Sequence, residues 1–172
     1  MTRPTIRAAR FGDVPAVYGL IADAHARSRF ARFDLQEKAA KALLVNAIQR
    51  HGGDTVGSTF LAVAEGEDGL EGFILGLLQP LYFVLDALEA SDLFWIARPG
   101  ADARTASRLL RAMHVWAEQA PRLGLIRQGT TDAVSDHRLS GRLLRRHGMA
   151  QRGLIFEKDQ APKGGGATSG ET

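Results

Sequence analysis

The chain has 172 residues, a mass of 18.6 kDa and a formal net charge of +3, room for one domain with a full core. An apolar content of 45% with 24% charged residues is that of an ordinary globular protein, and so small a net charge does not argue for nucleic acid. The absence of cysteine excludes a disulfide framework and thiolate chemistry.

No stretch approaches the length of a membrane span, and "MTRPTIRAAR" has no apolar core of signal-peptide length. The expected compartment is the cytoplasm, with no membrane partner. In chain order, "TIRAARF" alternates weakly and reads as a first strand. Asp13 is placed to cap a helix with Pro15 in its first turn, and Val14, Val17, Tyr18, Ile21 and Ala24 recur at helical spacing. Asp34 with Glu37 three residues on forms an Asp variant of the capping box. A second helix is expected to follow, burying Ala39, Ala40, Leu43, Leu44, Ala47 and Ile48 until "HGGDTVGS" ends it.

The period then changes. "TFLAVAE" and "EGFILGLLQPLYF" are two apolar runs joined by "GEDGL", a hairpin signal, and Pro80 limits the second because proline cannot donate to a ladder. "SDLFWIA" is the next strand, followed by a helix from about residue 103 to 119. "GLIRQGTT" is another strand, "SDHRLSGRLLRRHG" a helix closed by Gly148, and "RGLIFEK" a last strand. The expected domain spans residues 1–159. Residues 160–172, which include "APKGGGATSGET", are too poor in apolar side chains to order and read as a disordered tail.

"SDLFWIA", the helix and "GLIRQGTT" form a crossover between parallel strands, whereas the hairpin before it is antiparallel. The sheet is therefore mixed and opens where the crossover helix begins, the place where such sheets bind ligands. "WIARPGADARTASRLL" occupies that place: an apolar strand, a Pro-Gly break, then a helix start whose bare N–H groups suit phosphate.

This order of elements, over residues 4 to 158, resembles the GNAT superfamily of N-acetyltransferases. The resemblance implies an α/β fold (α+β in layout): a mixed, mostly antiparallel sheet of about six strands with helices on both faces. It also implies acetyl-CoA as co-substrate, its pyrophosphate cradled by a Q/R-x-x-G-x-G/A loop. Counted back from Leu109 and Leu110, that loop falls on Ala101-Asp102-Ala103-Arg104-Thr105-Ala106, of which only Ala106 fits the pattern. The implied cofactor-binding residues are Trp95, Ile96, Ala97, Ala101, Ala103, Arg104, Thr105, Ala106 and Arg108. Arg104 stands where the family has glycine and offers positive charge in place of close backbone approach. Asp102, acting as a cap, occupies N–H groups a phosphate needs and repels the anion. A well-capped helix start is the other reading of "GADARTA".

Acetyl transfer to an amine requires a base, polarisation of the thioester oxygen and an exit for the thiolate. Asp92, opening the strand before the loop, and His137, near the start of the following helix, are the candidate catalytic residues. Strand-end and surface roles are their alternatives. Asp132 and Thr131 follow the next strand and are weaker candidates. The Tyr that often protonates the sulfur in this family aligns with Leu144, which donates nothing. Glu65 and Glu71 flank a hairpin turn and read as solvated. His25, His51, His114 and His147 lack metal-ligand spacing, so no metal is expected.

Arg138, Arg142, Arg145 and Arg146 form the densest basic run, anchored by Leu139 and Leu143, without an aromatic platform or reading motif, so nucleic acid is not an expected partner. The apolar run "LLQPLYFVLDAL" is a candidate homodimer surface. The function expected is acetyl-CoA-dependent transfer of acetyl to a small-molecule or peptide amine. The alternative is a binding or accessory protein on the same fold with little or no transferase activity.

Overall fold

The computed structural model describes residues 3–131 and 136–158. The first strand, β1 (Thr5–Ala8), leads through a short 3-10 turn at Phe11–Asp13 into α1 (Val14–Ala26). Asp13 precedes the helix but does not cap it. Its carboxylate accepts from the Arg10 N–H at 2.7 Å and from both terminal nitrogens of Arg7, at 2.7 and 3.0 Å, which leaves the helix N–H groups untouched. Nor does Asp34 cap α2, which runs Glu37–Gln49 from an N-cap at Gln36 with no side-chain cap bond. Of the residues expected inside that helix, Leu44 and Ala47 are buried, whereas Ala39 and Leu43 are exposed because only a narrow stripe meets the sheet.

Strands β2 (Thr59–Gly66) and β3 (Gly69–Leu81) form the expected hairpin around Glu67 and Asp68, with Gly69 at φ 111°. Pro80 does not end β3; the strand runs to Leu81, and the proline sits beside a register shift where no ladder N–H is needed. After the tip at Tyr82 and Phe83, β4 (Val84–Ala97) is twice the length expected from "SDLFWIA". Most of "LLQPLYFVLDAL" therefore lies inside the β3–β4 ladder. Leu78 and Leu88 are buried, and Tyr82, Phe83 and Val84 at the tip are exposed.

Helix α3 (Thr105–Ala117), β5 (Leu123–Arg127) and α4 (His137–Arg146) complete the fold, with Gly148 at φ 82° closing α4 as expected. The sheet has five strands in the order β1-β2-β3-β4-β5, antiparallel except for the β4–β5 pair. The expected sixth strand is absent among the described residues: "RGLIFEK" has no ladder partner and leaves Leu154, Ile155 and Phe156 exposed. The expected tail, from residue 160, lies outside the described residues.

Alternating side chains of the central strands build one core on each face. Leu61, Val63, Phe73 and Leu75 meet α1 and α2, while Ala62, Ala64, Ile74, Leu78 and Ala90 meet α3 and Leu144 of α4. The apolar stripe of α3 is fully committed: Leu109, Leu110, Met113 and Ala117 are each 0% exposed. In α4, Leu143 and Leu144 reach the core but Leu139 is 56% exposed, so it does not anchor the helix. No helix of the described residues is long and apolar enough to cross a membrane.

Candidate active site in the β4–β5 split

Strands β4 and β5 pair only from Leu88↔Leu123 to Ser91↔Arg127, and beyond that point they part. β4 continues along β3 as far as Ala97, so from Asp92 to Ala97 its other edge has no strand partner among the described residues. A bulge sharpens the divergence: Phe94 pairs with Leu75 and Asp92 with Gly76, leaving Leu93 extra and half-exposed. Gly76 lets α3 pack closely there, since a Cβ would stand 2.8 Å from Met113 Cε and push that side chain aside. The cleft thus follows from one register shift and one broken ladder.

Asp92 sits at the apex of the split. Burial pushes its pKa up to about 6, against the opposing influence of the nearby Gln128 side chain and Gly129 N–H. Gln128 Oε1 in turn accepts from His114 Nε2 at 2.8 Å. His114 packs edge-on against His147, centroids 5.9 Å apart, and His147 Nε2 lies 2.8 Å from Ser107 Oγ. Burial, with positive charge from His114 and Arg111, holds the His147 pKa below its usual value. Three strand or loop groups and three helix groups thereby form one polar seam beside the split.

At the far end of β4, Trp95 donates from Nε1 to the Ala106 carbonyl at 3.0 Å, which ties the strand to the first turn of α3. Ile96 packs on the opposite core and Ala97 pairs with Gly72. In the connecting loop, the Ala101 N–H donates to Arg98 O and Ala103 is exposed. Arg104 is the N-cap residue of α3 by position, at φ −96°, and is exposed, with no carboxylate partner among the described residues. Asp102 accepts from the Arg104 N–H at 2.7 Å, and its carbonyl accepts from the Thr105 N–H. The N–H groups of Ala106 and Ser107 have no acceptor among the described residues.

Two sequence expectations are corrected here. Arg108 does not turn toward the loop: its Nη1 donates to the carbonyl of Pro4 before β1, on the other flank of α3. Glu71 is not merely solvated: its carboxylate accepts from the Asp102 N–H at 3.2 Å and from the fully buried Thr105 hydroxyl at 2.7 Å. His137, the first residue of α4, is exposed, and no contact among the described residues joins it to Asp92. Asp132 lies outside the described residues. Leu144 is 8% exposed and packs within the core.

Glu71, Gln128, His114, His147 and Ser107 were not found as a group by sequence reasoning. The one local signal was the position of Gln128 directly after a strand that ends at the cleft. No group of three or more His, Cys, Asp or Glu among the described residues is arranged to hold a metal.

No protein-family model matches the chain, and no curated protein matches it. Solved structures do. AAC(6')-Iy, in complex with the bisubstrate analog CoA-S-monomethyl-acetylneamine, superposes with a TM-score of 0.68 at 13% identity, over 93% of this chain and 100% of that one. Glucosamine-6-phosphate N-acetyltransferase from Arabidopsis thaliana gives 0.68 at 7% identity, over 92% and 99%. A transcriptional regulator from Bacillus halodurans C-125 gives 0.65 at 19% identity, over 90% and 99%. Identities this low establish the architecture and nothing finer, and the architecture they share with this chain is a GNAT-like fold.

Proposed function

We propose that this chain is an acetyl-CoA-dependent N-acetyltransferase acting on a small-molecule or peptide amine. The observation that carries the reading is the β4–β5 split, with a carboxyl of raised pKa at its apex and the first turn of α3 at its far end. A neighbour named as an N-acetyltransferase and another complexed with a CoA-linked bisubstrate analog support the reaction class.

The residues fit the co-substrate. The free edge of β4 through Trp95, Ile96 and Ala97 suits the amide groups of an extended arm, and the Ala106 and Ser107 N–H groups suit a phosphate. Arg98 keeps a buried Nε without a partner, an orphaned donor that an anion would satisfy. Arg104 and Arg98 are the cations for that role; Arg108 is not.

Bound acetyl-CoA supplies an activated thioester carbonyl. Asp92, ionised at neutral pH, takes the proton the amine sheds as the N–C bond forms and the C–S bond breaks. Gln128 and the Gly129 N–H favour its ionised form, and His114 fixes the Gln128 amide. The thiolate receives no proton from Leu144 and leaves as the anion or takes one from water.

A second reading, an accessory protein without transferase activity, draws on Leu144 and on the two carboxylates, Glu71 and Asp102, beside the phosphate position. Calorimetric melting with saturating acetyl-CoA separates the cases, because a ligand selective for the folded state raises the Tm. CoA itself is expected to do nearly as well. Binding without turnover over a panel of amines, or no Tm shift with millimolar ligand, selects the accessory reading.

A further inference from the structure

A second concavity lies on the opposite flank of α3 from the split. It is a groove of about 620 Å³ between α3 and the uncovered edge of the sheet at β1 and β2, and none of its lining residues belongs to β4 or β5. Its floor includes Ile6 and Ala62, and its deep end is a stack of three rings. His51 lies on Phe60 and Phe60 on Trp116, each pair 5.3 Å apart with interplanar angles of 27° and 20°.

The charge of the groove has one sign. Arg3, Arg7, Arg108 and Arg111 line it, and no Asp or Glu does. Arg7 is already neutralised by Asp13 at 2.7 Å and Glu65 at 2.6 Å. Arg108 meets only the Pro4 carbonyl, which positions it without cancelling its charge, and Arg3 and Arg111 have no acidic partner among the described residues. His51 adds a donor: its Nδ1 accepts from the Leu61 N–H, which places the proton of the neutral ring on Nε2.

We infer that this groove is a binding site for a small organic anion with a flat apolar body, an aryl phosphate or aryl carboxylate. The rings and aliphatic floor remove the flat body from water, while Arg3, Arg108 and Arg111 hold the anionic head. A bare anion lacks the first contribution and a neutral aryl ring the second, so the site requires both parts in one molecule. The site is independent of acetyl transfer, since it shares no residue with Asp92, Gln128 or the loop before α3.

The two tryptophans make the test selective, because Trp116 lines the groove and Trp95 lies at the split. With isotope-labelled full-length protein, 2-naphthyl phosphate is expected to move the Trp116 indole N–H resonance saturably and leave that of Trp95 in place. 2-Naphthoate tests the carboxylate form. Inorganic phosphate and 2-naphthol are expected to bind at least about tenfold more weakly, the ratio for losing one charge-assisted contact. Arg111→Gln, an exposed change, weakens the phosphate, and Ala112→Leu, which fills the groove, abolishes the shift with the fold intact. Equal binding of 2-naphthol would reduce the groove to an apolar patch and overturn the proposal. Displacement of 2-naphthyl phosphate by desulfo-CoA would overturn it differently, by assigning the groove to the co-substrate. Either result leaves the acetyltransferase reading to be judged by its own titration.

Discussion

The two ends of the β4–β5 split differ in how they treat charge. At the apex, one carboxyl is sunk among Gln128, the Gly129 N–H and His114, and burial holds it at the edge of ionisation. At the far end, the first turn of α3 faces two carboxylates, Glu71 and Asp102, that already use the N–H groups of Asp102 and Arg104. On the proposed reading the apex serves to move a proton, whereas the end assigned to phosphate has given part of its anion-binding capacity to its own carboxylates. The contrast predicts a competent reaction centre joined to a weak co-substrate grip, and each experiment below tests one side of it.

The largest effect is expected at the apex. Asp92→Asn keeps acceptor and shape but removes the base, and should lower kcat by about 10²- to 10⁴-fold, with KM for acetyl-CoA little changed. The same change should raise the Tm at neutral pH. The folded carboxyl binds its proton up to about pH 6, above its unfolded value of 3.8, so stability falls as pH rises through that window and stays lowered above it. Wild-type rate should rise with pH through about 6, and the asparagine variant should lose that limb. A full-rate Asp92→Asn enzyme would remove the apex from the chemistry altogether.

The next effect is structural. Gly76 faces Asp92 across the β3–β4 ladder, and a side chain there meets Met113 at 2.8 Å. Gly76→Val should cost about 1–3 kcal/mol by overpacking, read as a lower urea midpoint at unchanged m-value. If the variant is as stable as wild type, the apex is looser than its contacts imply and the contrast with the loop weakens.

How much of this was readable from the residues depends on whether the signal is local. The hairpin around "GEDGL", the stripe of α3 and the closing Gly148 were legible, because turn chemistry and 3.6-residue periodicity belong to the segment that shows them. The first half of β4 was not. Leu88, Glu89 and Ala90 are consecutive and all buried, so the alternation that marks a strand is erased where both faces are covered. "RGLIFEK" failed in the other direction, with a strand-like pattern but no neighbour to pair with. In the candidate site, Asp92 was singled out because it stands at the start of "SDLFWIA", although β4 begins eight residues earlier, at Val84. Glu71 was missed because its partners, Asp102 and Thr105, lie 31 and 34 residues away across β4. Likewise, Arg108 looked like a phosphate ligand by spacing along α3, but the side chain turns to β1, which spacing alone cannot register.

At the phosphate end, Arg104→Gly removes a cation whose charge-assisted bond to a phosphate is worth roughly 1.5–3 kcal/mol. It also lets the backbone approach more closely, which recovers part of that loss. A modest net weakening of acetyl-CoA binding is expected by calorimetry, with no change in the pH limb set by Asp92. Tighter binding would mean that Arg104 obstructs the anion rather than holding it, and that the loop lost its glycine without compensation.

The smallest effect separates the two carboxylates of the loop. Asp102→Asn and Glu71→Gln each keep an oxygen that can accept the present hydrogen bonds while removing a negative charge near the start of α3. A carboxylate near a helix N-terminus contributes about 0.3–1 kcal/mol to the helix, so each variant should lose at most that in stability. The same charge opposes a bound pyrophosphate, so each should tighten acetyl-CoA binding by about two- to fivefold, more at low salt than at high. The double variant should gain roughly the sum of the two free energies, since each carboxylate acts on the anion independently through the field. Two single variants that both weaken binding would show that the carboxylates order the cradle rather than oppose its ligand. The two ends of the split would then be alike in using buried acid to position donors, and the contrast between them would fail.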